Sequence, residues 1–179
     1  MRINYKRLMS LRALASDPKR LFILLVFLAL ALLLNSFATN ESIEGKVIKV
    51  YDGDTITVLD KRGKKHSIRF YGIDAPETNQ PFGKESKNHL ASLVANKSVK
   101  VTVKDKDKYG RIVGIVKLNG KDINKMMVAS GYAWAYTYYT DLYLNEHKKA
   151  KKQRLGLWRG KNPIEPYKWR KDREKSPSR

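Results

Sequence analysis

The apolar pattern of this chain predicts an α+β fold that is mainly β: five short strands curled into a small closed barrel, about three helices, and a separate hydrophobic helix in front. Three observations carry this. Between residues 43 and 118, apolar residues recur at every second position in short runs, the period of strands with one buried face. Helical spacing occurs only between and after those runs. Upstream, fourteen consecutive apolar residues, Leu21 to Leu34, leave no polar face for packing on the surface of a barrel.

Residues 1–38 form the first segment. Arg2, Lys6, Arg7, Arg12, Lys19 and Arg20 face a single acid, Asp17, and the run LFILLVFLALALLL follows. A basic flank ahead of an apolar run marks an export signal, or an anchor whose N-terminus stays inside. Ser36 and Ala38 offer a cleavage site after Ala38, while counting on to Ala38 gives the roughly 18 residues of an anchor. Both readings stay open. Either one puts the domain that follows outside the cytoplasm, secreted, periplasmic or membrane-anchored, and an anchor implies membrane contact through residues 21–38.

The domain itself spans 39–160. Gly45 to Tyr51 reads as a strand running into the turn Asp52-Gly53-Asp54, and Thr55 to Leu59 is the second strand. After the turn-rich Asp60 to Lys65, His66 to Ile73 sets Ile68 and Phe70 on one face and Ser67, Arg69 and Tyr71 on the other. Glu85 to Asn96 carries Leu90, Leu93 and Val94 at helical spacing. Val99, Val101 and Val103 alternate, as do Ile112, Gly114, Val116 and Leu118, and Asn119-Gly120 is a tight hairpin turn. Ile123, Met126 and Met127 mark a helix ending at Gly131, and a third helix runs from Thr140 to Leu155. Residues 161–179 read as a basic, partly ordered C-terminal tail. Five short strands with interspersed helices suggest the oligonucleotide-binding (OB) barrel.

Composition narrows the function. Of the 179 residues, 37 are Lys or Arg and 17 Asp or Glu, a formal charge of +20. Residues 1–38 account for +5 of it, so the basicity belongs to the folded part and points to polyanions. The absence of cysteine excludes a disulfide scaffold, a thiol nucleophile and cysteine-held zinc or iron–sulfur clusters. His66, His89 and His147 lack zinc-ligand spacing. Neither a GK[ST] phosphate loop nor a G-x-S-x-G elbow is present.

Asp54 and Asp74 lie ten residues either side of position 64, inside the Asp60–Lys65 turn. A hairpin closed there brings the two carboxylates together across adjacent strands, an unfavourable pairing that calls for a cation. Two carboxylates with backbone carbonyls and water suit a hard ion such as Ca²⁺. Pro76 keeps its neighbourhood extended, so that Glu77 points back toward whatever Asp74 holds. A metal, a carboxylate that orients water, and the Arg69 guanidinium are the parts of phosphodiester hydrolysis. Lys108-Tyr109-Gly110-Arg111 adds a basic turn whose Arg111 suits phosphate oxygens. Taken singly, each is also an ordinary loop or surface feature.

Taken together, Val50-Tyr51-Asp52-Gly53-Asp54-Thr55, Ile68-Arg69-Phe70-Tyr71-Gly72-Ile73-Asp74-Ala75-Pro76-Glu77-Thr78 and Asp107-Lys108-Tyr109-Gly110-Arg111 resemble the signature blocks of the staphylococcal nuclease (thermonuclease) family. The resemblance covers about Ile43 to Trp158. It implies an OB barrel, one Ca²⁺, and endonucleolytic cleavage of DNA and RNA that leaves 3′-phosphates. By matching position it implies Asp54, Asp74 and the Ala75 carbonyl as metal ligands, and Arg69, Glu77 and Arg111 as the catalytic trio. It also implies that Lys108 and Tyr109 contact phosphate and that a tyrosine among Tyr136, Tyr138 and Tyr139, with Tyr139 as the candidate, flanks the nucleotide. Ala75 stands where the family's well-studied member has Thr, a change a backbone ligand tolerates. DNA and RNA are the expected partners, and no protein partner is inferred. The rival reading is a nucleic-acid-binding barrel without catalysis.

Overall fold

The computed structural model describes residues 18–36 and 41–175. The chain divides into two compact units, Met1–Thr39 and Asn40–Arg179. In the first, Pro18–Ser36 forms helix α1, opened by a proline whose missing N–H costs nothing in a first turn. Its side chains from Leu21 to Leu30 are exposed. Among the described residues, no helix is long and apolar enough to cross a membrane. The basic residues before Pro18 and the expected cleavage site at Ala38 lie outside the described residues.

In the second unit, alternating apolar residues make the barrel. Strands β1 (Ser42–Val50), β2 (Thr55–Asp60) and β3 (Lys65–Phe70) form an antiparallel meander, with Val47 opposite Val58 and Ile56 opposite Ile68. On the other side β1 pairs with β5 (Ser98–Lys106), Ile43 facing Val101, and β5 pairs with β6 (Ile112–Leu118), Val101 facing Val116. Parallel pairing of β3 with β6, Ile68 beside Ile112, closes the ring. The inward set, Val47, Ile56, Val58, Ile68, Phe70, Val99, Val101 and Val116, is buried. Helix α2 (Gly83–Val94) adds Leu90 and Val94 to that core, and α3 (Ile123–Ala129) adds Ile123, Met127 and Val128. Removing a side chain such as Ile68 or Leu90 would cost about 2–5 kcal/mol. The five expected strands and the OB-type barrel are therefore present, with a short sixth strand, β7 (Lys121–Asp122), at the edge.

Two further two-residue strands, β4 (Ile73–Asp74) and β8 (Trp134–Ala135), pair with each other outside the barrel, Asp74 opposite Trp134. They depend on a turn at Gly72, whose φ of +74° and crowding by Thr140 and Tyr143 leave room for glycine alone. Asn124, fully buried, fixes that turn from below. Its amide donates to the carbonyls of Tyr71 (2.9 Å) and Gly114 (3.1 Å) and accepts from the Val116 N–H.

The β4 segment corrects one expectation. Thr55 faces Arg69, so the β2–β3 hairpin folds about position 62, and Asp54 lies opposite Phe70, whose N–H it accepts at 2.8 Å. Asp74 is not across the ladder from Asp54. It returns to it through the Gly72 turn. The third expected helix, Thr140 to Leu155, is also shorter: α4 spans Leu144–Lys152. The Tyr143 side chain is buried with its hydroxyl donating to Asp122 at 2.9 Å, and Leu142 and Tyr143 form a turn ahead of the helix instead. A 3₁₀ turn (Gly156–Arg159) follows, and Leu157 and Trp158 pack with Trp134 and Ala150 in a second apolar cluster. Within the segment expected to be a basic, partly ordered tail, Pro166–Lys175 forms helix α5.

Candidate active site

Asp54 stands just before β2 and is held from every side. Its backbone N–H donates to Asp52 Oδ1 (3.0 Å), the intervening Gly53 being required because a Cβ there would collide with Ser86 and Ala75. One carboxylate oxygen accepts from the Ala75 N–H at 2.6 Å, and the other from the Thr55 hydroxyl at 3.1 Å and from Arg69 Nη1. Arg69, near the end of β3, gives its second arm, Nη2, to Asp74 Oδ1 at 2.6 Å. One guanidinium thus joins two carboxylates that are 0% and 2% exposed. Unpaired, such buried charges would be costly.

The electrostatics follow from burial. Enclosure pushes the Asp54 carboxyl well above its ordinary value of 3.8; Arg69 pulls the other way, and Asp52 and Asp74 push further up. Burial alone would lower Arg69, but Asp54, Asp74 and Asp52 outweigh it and hold the guanidinium charged.

Glu77 follows on the loop after Pro76, a third exposed, and its Oε1 accepts from Arg170 Nη1 at 2.8 Å. Arg111 sits one residue ahead of β6, whose Val113 pairs with Arg69. It touches none of these carboxylates. Its Nε donates to Asp107 Oδ2 at 2.7 Å, which aims the rest of the fork. Lys108 and Tyr109 lie in the same turn, with Tyr109 73% exposed and the Lys108 and Arg111 cations over its ring at 5.1 and 5.6 Å. Tyr139 is exposed and packs against Tyr136 at 5.5 Å. Both line a cavity of about 720 Å³ that also reaches Asp74, Tyr138, His147 and Tyr167. Burial raises the Tyr136 phenol above its ordinary value, with the nearby Tyr139 and Asp74 adding to the effect.

The sequence-predicted residues thus fall into one joined cluster (Asp54, Arg69, Asp74, Ala75), with Glu77 linked to it through Arg170, and two satellites: Arg111 with Lys108 and Tyr109, and Tyr139. Arg170 was missed. It comes from α5, and its fork takes Asp74 Oδ1 at 3.1 Å and Oδ2 at 3.0 Å besides Glu77. The available signal was Tyr167 and Trp169 within the basic run after Pro166, since a merely solvated tail has no use for large aromatics.

The model of the staphylococcal nuclease homologue family matches residues 67–160. An uncharacterized endonuclease of Haemophilus influenzae is 41% identical over 151 residues, covering 83% of this chain and 85% of its own. A micrococcal nuclease of Shigella flexneri is 40% identical over 156 residues, 80% of this chain and 89% of its own. A staphylococcal-like nuclease of Arabidopsis thaliana is 42% identical over 113 residues, 62% of this chain but 35% of that protein. The first two likenesses extend past the matched family region, so they take in more than the barrel's second half. With the closed barrel and the carboxylates drawn together by Arg69, these likenesses show that the chain belongs to the staphylococcal nuclease family.

Proposed function

We propose that the chain is an endonuclease that hydrolyses phosphodiester bonds in DNA and RNA with little sequence preference, leaves 3′-phosphates and uses one Ca²⁺. The observation that carries this reading is the pair of buried carboxylates joined by Arg69 at the edge of a tyrosine-lined cavity. The donors fit the ion. They are all oxygen, and two of them belong to buried carboxylates. Among the described residues no group of three or more His, Cys, Asp or Glu side chains is placed to hold a metal, so a cation here draws on Asp54, Asp74, the Ala75 carbonyl and water. That set leaves most of the coordination sphere to water and substrate; the choice of Ca²⁺ follows the family's signature blocks, and the Mg²⁺ arm of the test below checks it.

When bound, Ca²⁺ supplies Lewis-acid polarisation of a phosphoryl oxygen. The protein's own groups do the rest. Glu77 orients a water and takes its proton. Arg69 and Arg111, with forks fixed by Asp54, Asp74 and Asp107, offset charge that grows on the phosphoryl oxygens in the transition state. Lys108 and Tyr109 meet phosphates, while Tyr139 offers an exposed ring beside the nucleotide. The basic flank and apolar run of residues 1–38 support placing this unit outside the cytoplasm, secreted, periplasmic or held at the membrane through residues 21–38.

The test is cleavage of plasmid DNA, linear DNA and RNA by the purified full chain, in Ca²⁺, Mg²⁺ or chelator, with the product ends identified. The expected result is cutting of all three in Ca²⁺, weak activity in Mg²⁺ and 3′-phosphate ends. Full activity in chelator, or binding to DNA without cutting in Ca²⁺, would contradict the reading.

A further inference from the structure

The basic C-terminal segment, with Tyr167 and Trp169 among its lysines and arginines, packs beside the candidate site. Trp169 Nε1 donates to Asn79 Oδ1 at 3.4 Å, and Gln80 Nε2 donates to the Ile164 carbonyl at 2.7 Å. Gln80 is 5% exposed, and its Oε1 accepts the Glu77 N–H at 3.1 Å. The loop that carries Glu77 is therefore clamped to the residues around α5. From α5, Arg170 Nη2 donates to Asp74 Oδ2, while Nη1 is shared between Asp74 Oδ1 and Glu77 Oε1. About a third of the Arg170 side chain remains exposed, so its outer edge is open to solvent.

The charges explain what such a residue does. Without a cation, the three carboxyl groups of Asp54, Asp74 and Glu77 share two guanidinium groups, Arg69 and Arg170. Arg170 engages both oxygens of Asp74, and a cation that needs Asp74 must take at least one of them. With the cation in place, the arm of the fork freed from Asp74 is available to a substrate phosphate, and its other contact still holds Glu77.

We propose that Arg170 is a third active-site arginine, delivered by α5, which competes with the cation for Asp74 and orients Glu77 while meeting the substrate phosphate. The inference rests on the nuclease reading above. A guanidinium that competes with a cation weakens cation binding, and one that orients the base and meets the phosphate speeds turnover. Removing Arg170 should therefore move the two quantities in opposite directions. A merely structural residue would worsen both, and a simple inhibitory latch would improve both.

The experiment uses the full chain as wild type, Arg170→Ala and Arg170→Lys. Ca²⁺ binding is measured by calorimetry without nucleic acid, and kcat on DNA is measured at saturating Ca²⁺. Arg170→Ala should bind Ca²⁺ at least about threefold more tightly, from loss of a nearby positive charge and a competitor, and turn over about tenfold more slowly. Arg170→Lys keeps the charge without the fork, so its Ca²⁺ affinity should stay closer to wild type while kcat still falls; it also serves if the alanine variant does not fold. Unchanged or weaker Ca²⁺ binding together with reduced turnover, or faster turnover in either variant, would overturn the proposal. A wild-type chain that binds DNA but never cuts it in Ca²⁺ would instead remove the nuclease reading, and this inference with it.

Discussion

The turns Asp60–Lys64 and Asp107–Arg111 share their backbone hydrogen bonds one for one. In each, the first residue's N–H donates to the fifth carbonyl (3.0 Å in both), and the fourth N–H donates to the first carbonyl (3.0 and 2.9 Å). In each, the aspartate Oδ1 accepts from the third and fifth amides, at 2.9 and 2.9 Å in one and 3.0 and 2.9 Å in the other. Both put glycine fourth, with φ of +78° and +80°. They part at Oδ2, which pairs with His66 Nε2 (2.8 Å) in the first turn and Arg111 Nε (2.7 Å) in the second. The first joins β2 to β3 at the end away from Arg69; the second delivers its fifth residue to the strand that pairs beside Arg69. One turn design serves stability in both places. Under the proposed function, its position and an arginine where the other has lysine would direct the second turn toward chemistry.

Replacing the two fifth residues separates these roles most sharply. Arg111→Lys should lower kcat by about 10²-fold, since an ammonium does not reproduce a fork that binds Asp107 and phosphate together. Lys64→Ala should leave kcat unchanged. Steady-state kinetics on a DNA substrate checks both, and equal effects would erase the distinction.

The same contrast marks what the sequence could disclose. Ile56, Ile68, Val101 and Val116 announced the barrel because a half-buried strand must alternate. The signature blocks placed Asp54, Arg69, Asp74 and Glu77 because they sit close in sequence around two hairpin strands. The symmetry of Asp54 and Asp74 about position 64 suggested the right meeting by the wrong route, since register depends on where the turn closes, and Asp60 closes it two residues early. Arg170 is 96 residues from Asp74, and no periodicity links a short basic helix to a distant carboxylate. Asn124 was equally silent. A buried asparagine is specified by the carbonyls it satisfies, which belong to other segments.

A smaller effect tests what the turns share. Hydrogen bonding from His66 and from the Lys64 and Arg62 amides lowers the Asp60 carboxyl below its ordinary 3.8. At Asp107, burial pushes upward but the bonds from Arg111 outweigh it, and the net direction is also down. A depressed carboxylate contributes stability that is present above the unfolded value and is lost as pH falls through the folded one. Asp60→Asn and Asp107→Asn should therefore each flatten the decline of Tm between about pH 5 and pH 3, and by similar amounts. Thermal melts across that range measure it, and a slope unchanged in either variant would mean that turn holds without its carboxylate.

The central claim is that Arg69, by joining two buried carboxylates, makes a site that catalyses as well as binds. Arg69→Lys tests it directly, with kcat and DNA affinity measured separately on the same folded protein. The account predicts that kcat falls by about 10²-fold or more while Kd for DNA stays within about threefold, because the fork meets charge that develops in the transition state. Equal losses of rate and affinity would contradict it and return the barrel to a binding module.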